Sequence, residues 1–253
     1  MAIPSSAQLR KENARFRAIP ANERDLNDKN RRAIFATMKK CCKSIEVLTS
    51  RLEELGYPEP FIGDAYCTMD ELTDRLEEEY PEVSESLEFS LVPLSLLAFW
   101  KVLEGVSFVD FEDFEHVDFW ASHGVKGAEG YCDALHIESF DGYFIESMVE
   151  ELGEHLSNDE DDPMLVISPD GFHKDNISGG LPYAIEIGPR WDPEVLGFHW
   201  SGSKKPESVD GDEVTFMEYL RATVLECAGF PGLLGDEKFE PIRLKLLDGL
   251  PLF

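Results

Sequence analysis

Residues 91–111, LVPLSLLAFWKVLEGVSFVDF, carry the deciding pattern of this 253-residue chain. Pro93 fixes φ near the helical value and has no amide hydrogen to leave unpaired at a helix start. Ser95 offers a hydroxyl to a free first-turn amide. Leu96, Leu97, Phe99, Trp100 and Leu103 then make an apolar face. Gly105 offers the left-handed conformation that ends helices, and a β-rich run leaves from Val106. The pattern predicts a short helix near 94–104 that hands over directly to a strand.

Outward on the C-terminal side, VSFVDFEDFEHVDFW places Phe108, Phe111, Phe114, Val117 and Trp120 at every third position, with acids between. That step fits neither a strand nor a helix alone, so a strand end running into a helical turn is expected. Asp110, Glu112, Asp113, Glu115 and Asp118 with Trp120 form an aromatic and acidic patch. It reads either as the wet rim of a core or as a grip for a basic partner, since aromatic anchors dominate interface energetics. The loop acids Asp159, Glu160, Asp161 and Asp162 are further candidate contacts.

Beyond the patch, Val106–Val109, Ala134–Ser139, Met164–Ser168, Pro182–Ile187 and Val195–Trp200 read as strands set apart by Gly, Pro and Asp. A helix is expected over about 143–156. Another starts at the capping box Thr215…Glu218 and ends before Gly229. Residues 202–211 read as an exposed connection. On the N-terminal side, apolar residues at three- and four-residue steps from Phe35 to Leu55 predict a long helix over 22–55, stopped by Gly56 and Pro58. It carries much of the basic charge, and would lie on the body or pair with another helix. A second capping box at Thr68 predicts an acidic helix to Tyr80. Helices first and sequential strands afterwards give the class α+β, with a mostly antiparallel sheet flanked by helices. The expected division is a helical extension over 1–90, an α+β domain over 91–235 and a tail over 236–253.

Charge narrows the partners. The formal net charge is −28, with residues 1–51 at +7 and the remainder at −35. Such a body repels nucleic acid and anionic membranes and favours basic partners through salt-sensitive association. The apolar fraction of 43% argues against disorder. There is no apolar run near the ~20 residues of a membrane span, and the first twenty residues lack the apolar block of a secretory signal, so a cytoplasmic location is expected. Five cysteines without a CxxC pair read as buried reduced thiols.

No catalytic constellation stands out. Ser178-Gly179-Gly180 leads into Leu181-Pro182 rather than a helix, so it lacks the dipole of a phosphate loop. No Gly-x-Ser-x-Gly elbow occurs. His116, His123 and His136 lack the spacing that aims two imidazoles at one ion, and 158–162 lacks the central glycine of a calcium loop. No catalytic residue, metal ligand or cofactor is assigned. A metal-dependent enzyme built on His116 and His123 is the least favoured alternative.

From Leu91 to Leu233 the chain resembles the SUKH superfamily, which includes a fungal cell-wall assembly regulator and many bacterial immunity proteins. The matching pieces are Val92-Pro93-Leu94-Ser95-Leu96 with Phe99, Glu104-Gly105-Val106, Tyr131-Cys132-Asp133-Ala134-Leu135 and Leu165 to Asp170. His173 to Tyr183 and the closing run FMEYLRATVLECAGFPG (216–232) follow in the same order. The resemblance implies a compact α+β domain without catalytic residues that binds other proteins. In bacteria the implied role is to neutralise a toxin, a nuclease among the possibilities, by direct binding. Residues 1–90 extend past the usual core, so a regulatory scaffold of the fungal type, docking through the basic helix, is the alternative.

Overall fold

The computed structural model describes residues 3–20, 27–62, 78, 93–110, 113, 115–126, 132–137, 139, 164–168, 183–186, 191–196, 204–210 and 214–253. Helix α1 (Ser6–Arg17) opens with a reciprocal capping box between Ser5 and Gln8. Helix α2 (Asp28–Glu54) starts at Asn27, whose side chain accepts from the Asn30 amide at 3.0 Å. Ile34, Met38, Cys41, Ile45, Leu48 and Leu52 form its inward stripe and are all fully buried. The expected stripe is therefore turned slightly: Phe35 is only half-buried and Leu55 is exposed. Gly56, at φ +80°, closes the helix as its composition demanded.

Helix α3 (Leu94–Trp100) is the helix expected from the 91–111 pattern, with Pro93 at its start. Two local causes differ from the expectation. Ser95 does not cap its own helix: its hydroxyl donates to Asp192 Oδ1 at 3.0 Å and its amide donates to the Trp191 carbonyl at 2.8 Å. The left-handed residue after the helix is Glu104, at φ +72°, and not Gly105. Gly105 is required for a different reason, because an added Cβ would lie 2.9 Å from the Cα and N of Ser139.

Strands β1 (Phe61–Ile62), β2 (Val106–Ser107) and β3 (His136–Ile137) form one antiparallel sheet in that order, with Phe61 opposite Ser107 and Ser107 opposite His136. Strands β4 (Met164–Ser168), β5 (Tyr183–Glu186), β6 (Glu194–Leu196) and β7 (Val214–Thr215) form a second antiparallel meander, irregular between Val166 and Ser168. Helix α4 (Glu115–Ser122) lies between β2 and β3 in sequence, so the strand end does run into a helix. Met164–Ser168 has its predicted bounds, the strands predicted over 106–109 and 134–139 are shorter, and the strand predicted from Val195 starts at Glu194; predicted ends at 182, 187 and 197–200 lie outside the described residues. Predicted helices over 68–80 and 143–156 lie outside the described residues.

Helix α5 (Phe216–Arg221) has the predicted box: Glu218 N donates to Thr215 Oγ1 at 3.3 Å and Thr215 N donates to Glu218 Oε2 at 3.0 Å. It widens into a π-helical turn over Ala222–Glu226, with Cys227 N reaching the Ala222 carbonyl at 2.9 Å. Gly229 follows at φ +90°, and a Cβ there would strike the Phe108 ring at 2.4 Å. Helix α6 (Phe239–Leu247) occupies the segment read as a tail.

The architecture is α+β: helices around small antiparallel sheets. A hydrophobic cluster runs from Leu9 and Phe16 of α1, through α2, α3, α4 and α5, to Leu250 and Phe253. Residues 204–210 are tied down more firmly than an exposed connection. Pro206, Ser208 and Val209 are buried, Arg10 donates from Nε to the Glu207 carbonyl at 2.9 Å, and Ser208 N donates to the Glu226 carboxylate at 3.1 Å. No helix among the described residues is long and apolar enough to cross a membrane.

Candidate interaction cleft

Where α2 stops, Tyr57-Pro58-Glu59-Pro60-Phe61 carries the chain into β1. Two prolines hold the segment extended, because each fixes its own φ and keeps its predecessor out of the helical region. Tyr57 anchors it from beneath. Its ring meets Phe119 edge-on at 5.0 Å and Phe230 at 5.4 Å, and its hydroxyl donates to the Phe108 carbonyl. Burial pushes this phenol far above its ordinary range, so it stays a donor. Phe61 then emerges 57% exposed, beside the exposed Ile62.

The opposite wall is the exit of β2. Ser107 folds back on the chain, its Oγ donating to the Val109 carbonyl at 2.9 Å and accepting from Val109 N at 3.1 Å. Asp110 then starts α4: its carboxylate accepts from the amides of Asp113 and Glu115, both at 3.2 Å. Asp110 N donates to His116 Nδ1 at 3.3 Å, which leaves the proton of a neutral His116 on Nε2. Between the walls lies a cleft of about 460 Å³, lined by Tyr57, Pro58, Phe61, Phe108 and Val109 with Glu59, Asp110 and Glu115. No lysine or arginine is among the described lining residues, and the buried His116 completes the lining. Asp113 and Asp118 extend the acidic edge and are exposed.

Of the acids singled out by spacing, Asp110 and Glu115 line the cleft, Asp113 donates its amide to Asp110, and Asp118 is exposed three residues beyond Glu115 on α4. Trp120 is not part of that surface. It is fully buried, with ring centroids of Phe119, Phe230 and Phe239 at 4.8, 4.9 and 5.2 Å. An inward helix position and an apolar ring explain this, and the contact assigned to Trp120 is corrected to a core role. Glu112 and Asp159, Glu160, Asp161 and Asp162 lie outside the described residues. Sequence reasoning missed Tyr57, Glu59 and Phe61, taking Pro58 only as a helix stop. The signal was present: an aromatic residue placed after two prolines at the end of an amphipathic helix.

A second polar centre is sealed inside. Asp192 sits between the starts of α3 and α5, its Oδ1 accepting from Ser95 Oγ at 3.0 Å and Met217 N at 3.2 Å, while Oδ2 is buried without a hydrogen-bond partner. Burial pushes its carboxyl up to about 7, against the opposing pull of these donors and of Arg221. Arg221 is buried too, which lowers it to about 10. Its Nε donates to the Phe253 carbonyl at 2.7 Å, its Nη1 to Asn13 Oδ1 at 2.9 Å, and its guanidinium lies 4.5 Å from the Phe16 ring centroid. These charges join α1, α3, α5 and the C-terminal segment; they face no reacting atom.

Cys41, Cys42, Cys132 and Cys227 are buried and free, and burial raises the thiols of Cys41, Cys42 and Cys227, Cys42 to about 12, so those three are unreactive. His123 is exposed, with Nδ1 2.8 Å from the Phe119 carbonyl, while His116 is buried and turned to the Asp110 amide. Among the described residues no group of three His, Cys, Asp or Glu side chains is placed to hold a metal ion. No family model, no curated protein and no solved structure matches this chain.

Proposed function

We propose that the chain is a non-catalytic, cytoplasmic protein-binding module of the immunity type, which neutralises a basic toxin by direct contact. The observation that carries this reading is the cleft beside β1. Apolar side chains, among them an exposed phenylalanine, line it together with Glu59, Asp110 and Glu115, and no lysine or arginine is among its described lining residues. Apolar anchors set among acidic side chains are what a protein partner of opposite sign recognises. The net charge of −28 adds long-range steering toward such a partner. The resemblance of 91–233 to the SUKH superfamily supplies the immunity role, and toxins that act on nucleic acid tend to be cationic.

The test is to co-express the chain with each toxin encoded beside its gene, then to purify any complex and titrate salt. Protection of the cells and an affinity that falls as salt rises are expected. Failure to protect against every neighbouring toxin overturns the immunity role, and tight binding indifferent to ionic strength overturns the electrostatic mechanism.

A scaffold reading draws on one specific observation: Lys29, Arg32, Lys39, Lys40 and Lys43 are all exposed along α2. Reversing Arg32, Lys39 and Lys40 to glutamate separates the two readings. Toxin protection survives if the cleft is the working surface and is lost if α2 is.

A further inference from the structure

We propose that the cleft takes one arginine side chain from the partner, in preference to lysine. The inference rests on the reading of the cleft as the partner site and deepens it by naming the group recognised there. Three features converge on a guanidinium. The first is Phe61, an aromatic lining residue that is 57% exposed, which leaves much of its ring available to a flat cation. Guanidinium is planar and weakly hydrated, so it stacks on an aromatic ring at little desolvation cost, whereas an ammonium keeps its water shell.

The second feature is the placement of charge. Glu59 comes from the segment leading into β1, and Asp110 and Glu115 from the exit of β2 and the start of α4, and all three line the cleft. A forked donor set reaches two carboxylates from one position, which a point charge does not. Asp110 accepts from the amides of Asp113 and Glu115, which hold its carboxylate in place on the cleft lining. Glu59 and Glu115 are exposed and supply the adjustable acceptors.

The third is the floor. Pro58, Phe108 and Val109 are apolar and line the cleft below the acids. An arginine stem packs its methylenes on such a surface while its head stays among the carboxylates. A volume of about 460 Å³ accommodates that side chain with its flanking backbone. Arginine is also the cation most enriched among residues that dominate binding energy.

The test uses the full chain and two fluorescein-labelled peptides, one carrying three arginines spaced by Gly-Ser and one carrying three lysines instead. Anisotropy titrations at about 50 mM salt keep surface electrostatics only partly screened. The arginine peptide is expected to bind about tenfold tighter, and Phe61→Ala to remove most of that advantage while leaving lysine binding within about twofold. Phe61→Leu, which keeps apolar area but has no π face, is expected to behave like Phe61→Ala; Glu115→Gln is expected to weaken both peptides. Because Phe61 is largely exposed, its variants retain the core, and near-ultraviolet circular dichroism checks that they do. Equal affinity for the two peptides, unchanged by Phe61→Ala, overturns the arginine pocket and leaves the basic-partner reading standing. Absence of binding by either peptide overturns both.

Discussion

Replacing Asp192 by asparagine removes a buried charge while keeping side-chain shape and the acceptor used by Ser95 and Met217. The ordinary carboxyl titrates at 3.8 and the folded one at about 7. Below 3.8 both states hold the proton and no charge is buried. As pH rises between those values the unfolded state gives up its proton first, so stability falls; above 7 the loss is complete. At about 1.36 kcal/mol per pH unit the full loss is about 4 kcal/mol, of which about 3 kcal/mol falls between about pH 5 and pH 8.5. The variant lacks this dependence. Its new amide has no acceptor at the Oδ2 position, a cost of about 1–3 kcal/mol that is the same at both pH values and cancels in the comparison. Removing the charge also lowers Arg221 further, which the pH window does not reach, since that group sits at about 10. Urea unfolding followed by tryptophan fluorescence, on both proteins across that window, gives the difference directly. The stability of the variant relative to the native chain should rise by about 3 kcal/mol from pH 5 to pH 8.5. A difference that changes by less than about 1 kcal/mol would show that folded Asp192 titrates close to the ordinary carboxyl value, as a hydrated carboxylate does, and the argument from its burial would fail.

Gly105→Ala is expected to cost about 1–3 kcal/mol in urea unfolding, because its methyl meets Ser139 backbone at 2.9 Å. Gly56→Ala, at φ +80° with open space around it, should cost only about 1 kcal/mol. Glu218→Gln keeps the acceptor for Thr215 N but loses the ionic pair with Arg17 at 2.8 Å. Since Arg17 is 58% exposed, the loss should stay below about 1 kcal/mol, whereas Glu218→Ala also removes the cap and should cost about 1–2 kcal/mol. Trp120→Ala is expected to cost about 3–5 kcal/mol, and Asp118→Asn to leave the unfolding midpoint within about 0.5 kcal/mol of native while weakening partner binding.

What the sequence revealed is mostly what local chemistry sets. The α2 stripe, the Thr215–Glu218 box and the strand passing into α4 were all legible, because each depends on residues within a few positions. Strand ends were not. Ala134–Ser139 shrinks to two residues because Cys132 and Asp133 turn left-handed, at φ +54° and +47°, and the Leu135 amide goes to Gly229 at 2.7 Å. Helix α1 was missed because only Leu9, Asn13 and Phe16 face inward, too few for a visible period. Helix α6 was missed because Pro241 reads as a breaker, although a first-turn proline leaves no hydrogen bond unmade. At the site, the acids of 110–118 were found by spacing. The remaining lining comes from residue 57 onward, about fifty positions earlier than a local reading looks. Asp192 and Arg221 have no local signal at all, since their partners lie 25 to 208 residues away.

The placement of α2 decides how its basic row is to be understood. Six of its side chains, from Ile34 to Leu52, are fully buried. At about 1.5–3 kcal/mol for each buried apolar side chain, their removal costs about 9–18 kcal/mol, as much as the 5–15 kcal/mol that holds a typical domain together. Cutting away the first sixty residues would therefore unfold the protein, and loss of function on truncation would say nothing about docking. Only charge changes on the exposed face isolate it. The same helix also keeps the two charged surfaces apart. From Lys40 to the cleft wall at Tyr57 the chain rises about 20–25 Å along a rigid axis, more than twice the screening length of about 8 Å at physiological salt. The basic row cannot neutralise the acidic cleft of its own molecule, and a ligand at one surface scarcely senses the other. The acidic lining of the cleft is thus set apart from that row, as its proposed role requires.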